Sequence, residues 1–261
     1  MNIPEIVSIE SIKSENKTIK TITFPYKKPT KPGQFFMIWI PGIDEIPMSV
    51  SQICSDEKAI TFKVLGDATE TLSTLKQHEK IGIRGPYGNG YTIRGNHHLF
   101  IGGGTGIASI APAVEYCIQH HDTIDVILGA KTKEELFFVK RMQQTNATVH
   151  LSTDDGSEGF KGYTSELAES IIDEKPIETI YTCGPEQMMQ AIYKLCRQHN
   201  IHLQASLERY MKCAVGICGQ CCIGEGLRVC VEGPVFTKEL LKKIDDFGKF
   251  TRDASGKKIP L

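Results

Sequence analysis

Apolar and polar positions follow two rhythms along this chain, and the change falls near residue 96. Before it, short runs rich in β-branched residues lie between turn formers: one spans 18–24, and another, 34–40, follows a Lys-Pro-Gly turn at 31–33. At 59–65, Ile60, Phe62 and Val64 alternate with Thr61 and Lys63, which predicts a strand buried on one face. Ile81 and Ile83 alternate likewise before the Gly-Pro-Tyr-Gly-Asn-Gly turn at 85–90. Short strands at this spacing predict a small antiparallel β-barrel. After the change, an apolar run at 98–101 leads into Gly102-Gly103-Gly104-Thr105-Gly106, and Ile107, Ile110, Ala111, Val114 and Ile118 recur at helical spacing. Further strands are predicted at 125–130, 147–152 and 179–182, and helices at 134–142, 164–172 and 186–198. This alternation predicts a doubly wound parallel sheet with helices on both faces. A closing helix or tail is expected at 237–246. The expected fold is thus multidomain β plus α/β: a barrel over 1–95, an α/β domain over 96–205 and a small segment over 206–261.

Four cysteines crowd that last segment: Cys213, Cys218, Cys221 and Cys230, spaced C-x4-C-x2-C-x8-C. The first three match the plant-type spacing of a [2Fe–2S] cluster, in which thiolates hold two irons inside a loop. Gly216 and Gly219 fall between the ligands, where so tight a loop needs positive φ and amides free to face sulfur. Cys222 adjoins Cys221, but choosing it would give C-x3-C, so the spacing selects Cys221. Zinc remains a rival, although four-cysteine zinc sites more usually arrive as two C-x2-C pairs, and only Cys218 and Cys221 are so spaced. A disulfide framework fits less well, since nine cysteines is an odd number and 261 residues bury a core without staples.

Composition narrows the partners. Lysine plus arginine number 30 and aspartate plus glutamate 31, with no long block of one sign, which argues against nucleic acid or an anionic membrane bound by bulk charge. Pro4 and Glu5 stand where a signal peptide needs an apolar core, and the longest apolar run, 35–40, is too short to span a bilayer. A cytoplasmic, soluble chain is the expectation.

The glycine run is the second chemical signal. Glycines between strand and helix let a pyrophosphate approach backbone, and the helix N-terminus offers amides and partial positive charge. The run departs from G-x-G-x-x-G, with Ile107 in place of the third glycine, and the second strand ends in Lys131-Thr132-Lys133 without an acidic residue. A plain strand-to-helix turn explains one or two glycines, not four in five residues. Cys183-Gly184-Pro185-Glu186 ends a late strand, where doubly wound sheets bind ligands, so Cys183 is expected to face the same crevice, although by itself the stretch reads better as a core cysteine before a Gly-Pro helix start. Thr153-Asp154-Asp155-Gly156-Ser157 also ends a strand; a hydrogen bond to a ribose and a solvated turn are the two readings, and the sequence favours the turn.

A barrel containing Pro47-Met48-Ser49, followed by a Gly-Gly-Gly-Thr-Gly nucleotide fold ending in Cys-Gly-Pro, resembles the ferredoxin–NAD(P)+ reductase superfamily. With Leu207-Glu208-Arg209-Tyr210-Met211-Lys212-Cys213, the cysteine loop and the closing 229–236 stretch, nearly the whole chain is similar to electron-transfer subunits of type-B dihydroorotate dehydrogenases. That resemblance implies FAD on the barrel, NAD on the α/β domain and a [2Fe–2S] cluster in the loop. It implies that Pro47, Met48 and Ser49 lie along the flavin; the family's preceding arginine is Ile46 here, and Lys63 is the candidate replacement cation. Gly66, Ala68 and Thr69 match a stretch whose amides and hydroxyl meet flavin phosphate. Gly102, Gly103, Gly104, Thr105, Gly106, Cys183, Gly184 and Pro185 would bind nicotinamide dinucleotide, and Cys213, Cys218, Cys221 and Cys230 the irons. No residue needs to be a general acid or base. The implied partner is an FMN-containing catalytic subunit that oxidises dihydroorotate in pyrimidine biosynthesis, in a heterotetramer with two copies of each subunit. The alternatives are the same reductase body serving a hydrogenase, sulfide dehydrogenase or oxygenase, and a zinc-stapled nucleotide-binding regulator.

Overall fold

A computed structural model describes residues 3–120 and 122–261; Met1 and Asn2, where the N-terminal reading begins, lie outside them. The first half forms β1 (Glu5–Ser8), β2 (Ser11–Ser14), β3 (Ile19–Pro25), β4 (Phe35–Ile40), β5 (Asp44–Ile53), β6 (Glu57–Lys63), α1 (Asp67–Thr74) and β7 (Lys80–Tyr87). The seven strands make one sheet in the order β1-β7-β4-β5-β6-β3-β2, every neighbour antiparallel. It curls around Ile22, Phe24, Phe36, Ile38, Val50, Ile60, Ile81 and Ile83. Phe24, Tyr26 and Phe36 meet edge to face there, at 5.1–6.3 Å between centroids. One expectation is corrected. β6 is buried on both faces, because Thr61, opposite the core-facing Ile60 and Phe62, is covered by its neighbours and shares hydrogen bonds of 2.8 Å with Thr21 and Ser51 on the strands either side.

The second half runs β8 (His97–Gly103), α2 (Gly106–Ile118), β9 (Thr123–Ala130), α3 (Val139–Gln143), β10 (Thr148–Thr153), β11 (Phe160–Lys161), α4 (Thr164–Glu174), β12 (Thr179–Cys183), α5 (Glu186–Gln198) and β13 (His202–Ser206). These strands lie parallel in the order β11-β10-β9-β8-β12-β13. Successive strand residues feed opposite faces: Leu99 and Ile101 pack with α4 and α5, whereas Phe100 packs with α2. The helix expected at 134–142 is broken. A 3₁₀ turn at Lys133–Glu135 is followed by Phe138 at φ 58, and only then by α3. Adjacent Phe137 and Phe138 are both buried, and a continuous helix would aim them 100° apart.

Beyond residue 206 come a hairpin, β14 (Cys222–Ile223) and β15 (Leu227–Arg228), then β16 (Val235–Thr237) and α6 (Lys238–Leu241). A last hairpin pairs β17 (Phe250–Arg252) with β18 (Lys258–Pro260). The helix expected over 237–246 therefore stops after one turn. β16 rejoins the parallel sheet, antiparallel to β13, with Ser206 opposite Val235. The cysteine loop leaves and re-enters at neighbouring strands. Among the described residues, no helix is long and apolar enough to cross a membrane.

Candidate functional site

Gly103, Ala130, Thr153 and Cys183 end parallel strands at one edge of the sheet, and a cavity of about 900 Å³ opens there. Gly103, Gly104, Thr105, Gly184 and Pro185 line it. The glycines divide into two kinds. A Cβ on Gly102 would fall 2.8 Å from Ile107, and one on Gly103 would meet Met188 Sδ at 2.6 Å. One on Gly106 would strike the Cys183 carbonyl, so these three let strand, helix and neighbouring loop close together. Gly104 differs: φ is 52, and a Cβ would meet nothing within 4 Å. Its amide is occupied, donating to the Gly129 carbonyl at 2.8 Å, so what Gly104 offers the cavity is open space rather than a donor. That space lets a pyrophosphate approach the backbone closely. Cys183 lines neither this cavity nor the next. Its thiol is buried against Ser109 and Ser206, and burial pushes it up to about 12. Asp154, read from sequence as part of a solvated turn, lines the cavity together with Lys131.

A smaller cavity of about 410 Å³ lies between barrel and sheet, lined by Phe35, Pro47, Met48, Ser49, Lys63 and Thr69. Gly66 and Ala68 fall outside both linings. The Thr69 hydroxyl accepts from the amides of Leu65 (2.9 Å) and Gly66 (3.1 Å), so it closes its own turn and occupies the Gly66 donor. Lys63 lines both cavities, its ammonium 3.9 Å from Glu135. Thr105, Glu208, Arg209 and Thr251 are shared as well, so the two cavities form one crevice.

Sequence reasoning missed the cations and acids that organise this crevice. Arg209 is buried and forked onto Glu186, with Nη2 3.0 Å from Oε1, and Nη1 donates to the Glu208 carbonyl at 2.7 Å. Glu208 projects into the open crevice but is ringed by protein, and that desolvation raises its carboxyl pKa. Adjacency of Glu186 to the Cys-Gly-Pro stretch was the only available hint. Glu208 to Met211 all line the smaller cavity, and Cys213 follows two residues after Met211.

The four cysteines sit on the loop between β13 and β16. Cys221 and Cys230 are buried, Cys213 half-buried and Cys218 exposed. Backbone amides link them two by two, Cys218 to Cys213 and Cys230 to Cys221. The Cys218 amide lies 3.5 Å from Cys213 Sγ, and the Cys230 amide 3.5 Å from Cys221 Sγ. Burial alone raises the Cys213 thiol, but the amides of Cys218, Val215 and Ile217 outweigh it and bring it to about 6. Burial and the neighbouring Cys221 push Cys230 to about 12. Gly216 and Gly219 adopt φ 77 and 69, as the loop requires, and Ala214 adopts φ 59 without being glycine. Among the described residues, the one group of three donors converging on a single point is His98, Cys117 and Asp122, at the far end of the sheet.

A curled antiparallel sheet facing a doubly wound sheet across one crevice is the fold of the flavin- and nicotinamide-dependent reductases of the ferredoxin–NADP reductase type, and the cysteine loop is added to it at the C-terminal end. A solved ferredoxin NADP+ reductase from Neisseria gonorrhoeae has this fold, with TM-score 0.67 and 18% identity over 76% of this chain and 92% of that one. An NADH-dependent reduced ferredoxin–NADP oxidoreductase gives TM-score 0.82 and 26% identity, covering 94% of this chain and 91% of that one. The profile of the iron–sulfur cluster binding domain of dihydroorotate dehydrogenase B matches residues 208–242, and that of the oxidoreductase NAD-binding domain residues 100–194. A relative from Methanocaldococcus jannaschii, described as a probable dihydroorotate dehydrogenase B (NAD(+)), electron transfer subunit, is 44% identical over 99% of each chain. The same description is carried by a Methanothermobacter thermautotrophicus protein, 38% identical over 100% of this chain and 98% of its own. The chain belongs to the family of dihydroorotate dehydrogenase B electron-transfer subunits.

Proposed function

We propose that this chain accepts electrons from dihydroorotate through an FMN-containing catalytic subunit and delivers them to NAD+, in an assembly of two copies of each subunit. The observation that carries the reading is the continuity of one segment: Glu208 to Met211 wall the smaller cavity, and Cys213 begins the cysteine loop two residues later. In the proposed division, residues 1–95 hold FAD, 96–205 hold NAD and 206–261 hold the cluster. Pro47, Met48 and Ser49 flank the flavin ring, and Lys63 faces its phosphates in place of the arginine absent at position 46. Gly104 and Thr105 cradle the dinucleotide phosphates, with Gly102, Gly103, Gly106, Gly184 and Pro185 packing the cradle and Cys183 behind it. Cys213 with Cys218, and Cys221 with Cys230, each hold one iron, while Cys222 stays outside the set. Flavin, when bound, exchanges hydride with nicotinamide and single electrons with the cluster. The side chains position rings, exclude water and set potentials.

Co-expression with an FMN-containing dihydroorotate-oxidising subunit tests this. A stable complex should reduce NAD+ with dihydroorotate, while this chain alone should only pass electrons from NADH to artificial acceptors. Failure to co-purify, with no dihydroorotate-dependent NADH formation, removes the assignment. A second reading, a nicotinamide reductase serving another redox enzyme, draws on the likeness to the NADH-dependent ferredoxin–NADP oxidoreductase. It is favoured if the chain works only with other acceptors.

A further inference from the structure

Arg84 stands on β7, outside both cavities and outside the cysteine loop, yet it joins the barrel to that loop. It is buried at 8% exposure. Its guanidinium forks onto Glu45 of β5, Nε to Oε1 at 2.6 Å and Nη2 to Oε2 at 2.5 Å. The third nitrogen, Nη1, donates to the Tyr87 hydroxyl at 3.2 Å and to the Cys213 carbonyl at 3.4 Å. Glu45 is two residues before Pro47, so one guanidinium spans the strand that walls the smaller cavity and the backbone of the first cluster ligand.

The carbonyl it holds belongs to the peptide entering Ala214, which is buried at φ 59. Left-handed backbone is disfavoured for any residue with a Cβ, so a non-glycine residue persists there only when its surroundings hold it. The turn made there brings the Cys218 amide back to Cys213 Sγ, at 3.5 Å. Amides aimed at sulfur stabilise the extra electron of a reduced cluster, and such hydrogen bonds are among the determinants of iron–sulfur potential.

We propose that Arg84 is a positioning residue for electron transfer: by holding the Cys213 carbonyl it fixes the strained Ala214 turn, aims loop amides at the cluster sulfurs and keeps the cluster potential high. Glu45 neutralises its charge, so it acts through orientation rather than as a bare cation. The inference rests on the cluster reading above. Losing the clamp lets Ala214 relax, withdraws an amide from Cys213 and makes the cluster harder to reduce.

The test uses the full chain purified anaerobically with its iron, as parent, as Arg84→Gln with Glu45→Gln, and as that pair with Ala214→Gly. Changing Arg84 and Glu45 together avoids leaving a lone buried charge. The double variant should keep its iron and acid-labile sulfide and change its EPR g-values. At a fixed potential its reduced-to-oxidised ratio should fall about tenfold, equivalent to about 59 mV for one electron. Adding Ala214→Gly should restore most of both signals, because glycine occupies that turn without being held. Loss of iron in the double variant that Ala214→Gly restores also supports the clamp. Unchanged spectrum and midpoint with iron retained overturn it, as does iron loss that glycine does not rescue. A parent chain without iron would instead sink the cluster reading itself.

Discussion

Gly104 is the residue on which nicotinamide binding should turn most sharply. Its neighbours Gly102, Gly103 and Gly106 are glycine because protein atoms fill the space of a Cβ, whereas at Gly104 that space is open. A side chain there points at ligand, not at the fold. Gly104→Val should carry a strain of about 1–2 kcal/mol, since φ is 52, and should leave flavin and cluster spectra intact. Stopped-flow reduction by NADH should slow by at least about a hundredfold, the loss expected when a β-branched side chain occupies a phosphate cradle and costs about 3 kcal/mol. Reduction at the parent rate would return the glycine run to a packing role alone. The fourfold repetition was legible in sequence, but the division of labour was not, because it depends on Met188 and Cys183, some 80 residues away.

Strand β9 carries the second consequence. Asp125 lies mid-sheet at 1% exposure, where an isolated carboxylate would be costly. Burial alone raises its pKa, but hydrogen bonds from His150 Nε2 (2.7 Å) and Lys175 Nζ (2.6 Å) overcome this and lower it to about 2. His97 Nε2 lies 3.5 Å from the other oxygen. Because the folded value is depressed, the stabilisation is full above the ordinary value of 3.8 and disappears as pH falls toward about 2. The difference is worth about 2 kcal/mol. Denaturant midpoints between pH 6 and pH 2 should therefore fall more steeply for the parent than for Asp125→Asn; equal slopes would count against the ion pair. Elements were legible in sequence where their apolar rhythm is plain, as in α2, α5 and β8. β13 was not, because its polar Gln204 and Ser206 are buried, with Gln204 satisfied by the backbone of Thr92. Phe138 breaks its helix for a tertiary reason, the burial of two adjacent rings, that local spacing does not encode. Arg209 and Arg84 escaped notice similarly: their partners lie 23 and 129 residues away.

For the whole molecule, the cysteine loop is the part whose chemistry depends on iron and sulfide that arrive after synthesis, and β16 decides how it waits. Ser206 pairs with Val235 at its base, so both ends are pinned by sheet hydrogen bonds formed without any metal. The entropy of closing that loop is met by strand pairing, not by thiolate–iron bonds. Small metal-folded domains couple the two events and unravel when the metal is removed. The pairing of β13 with β16 at the loop's base predicts that here the two are separable, with iron entering an already folded frame. Iron-free chain should retain both sheets, with a far-ultraviolet circular dichroism spectrum close to that of the loaded chain and a single cooperative melt, and should accept iron and sulfide without refolding. A spectrum that collapses on chelation would place iron insertion before folding. On the first outcome, iron supply would set how much of the chain is active rather than how much of it is folded.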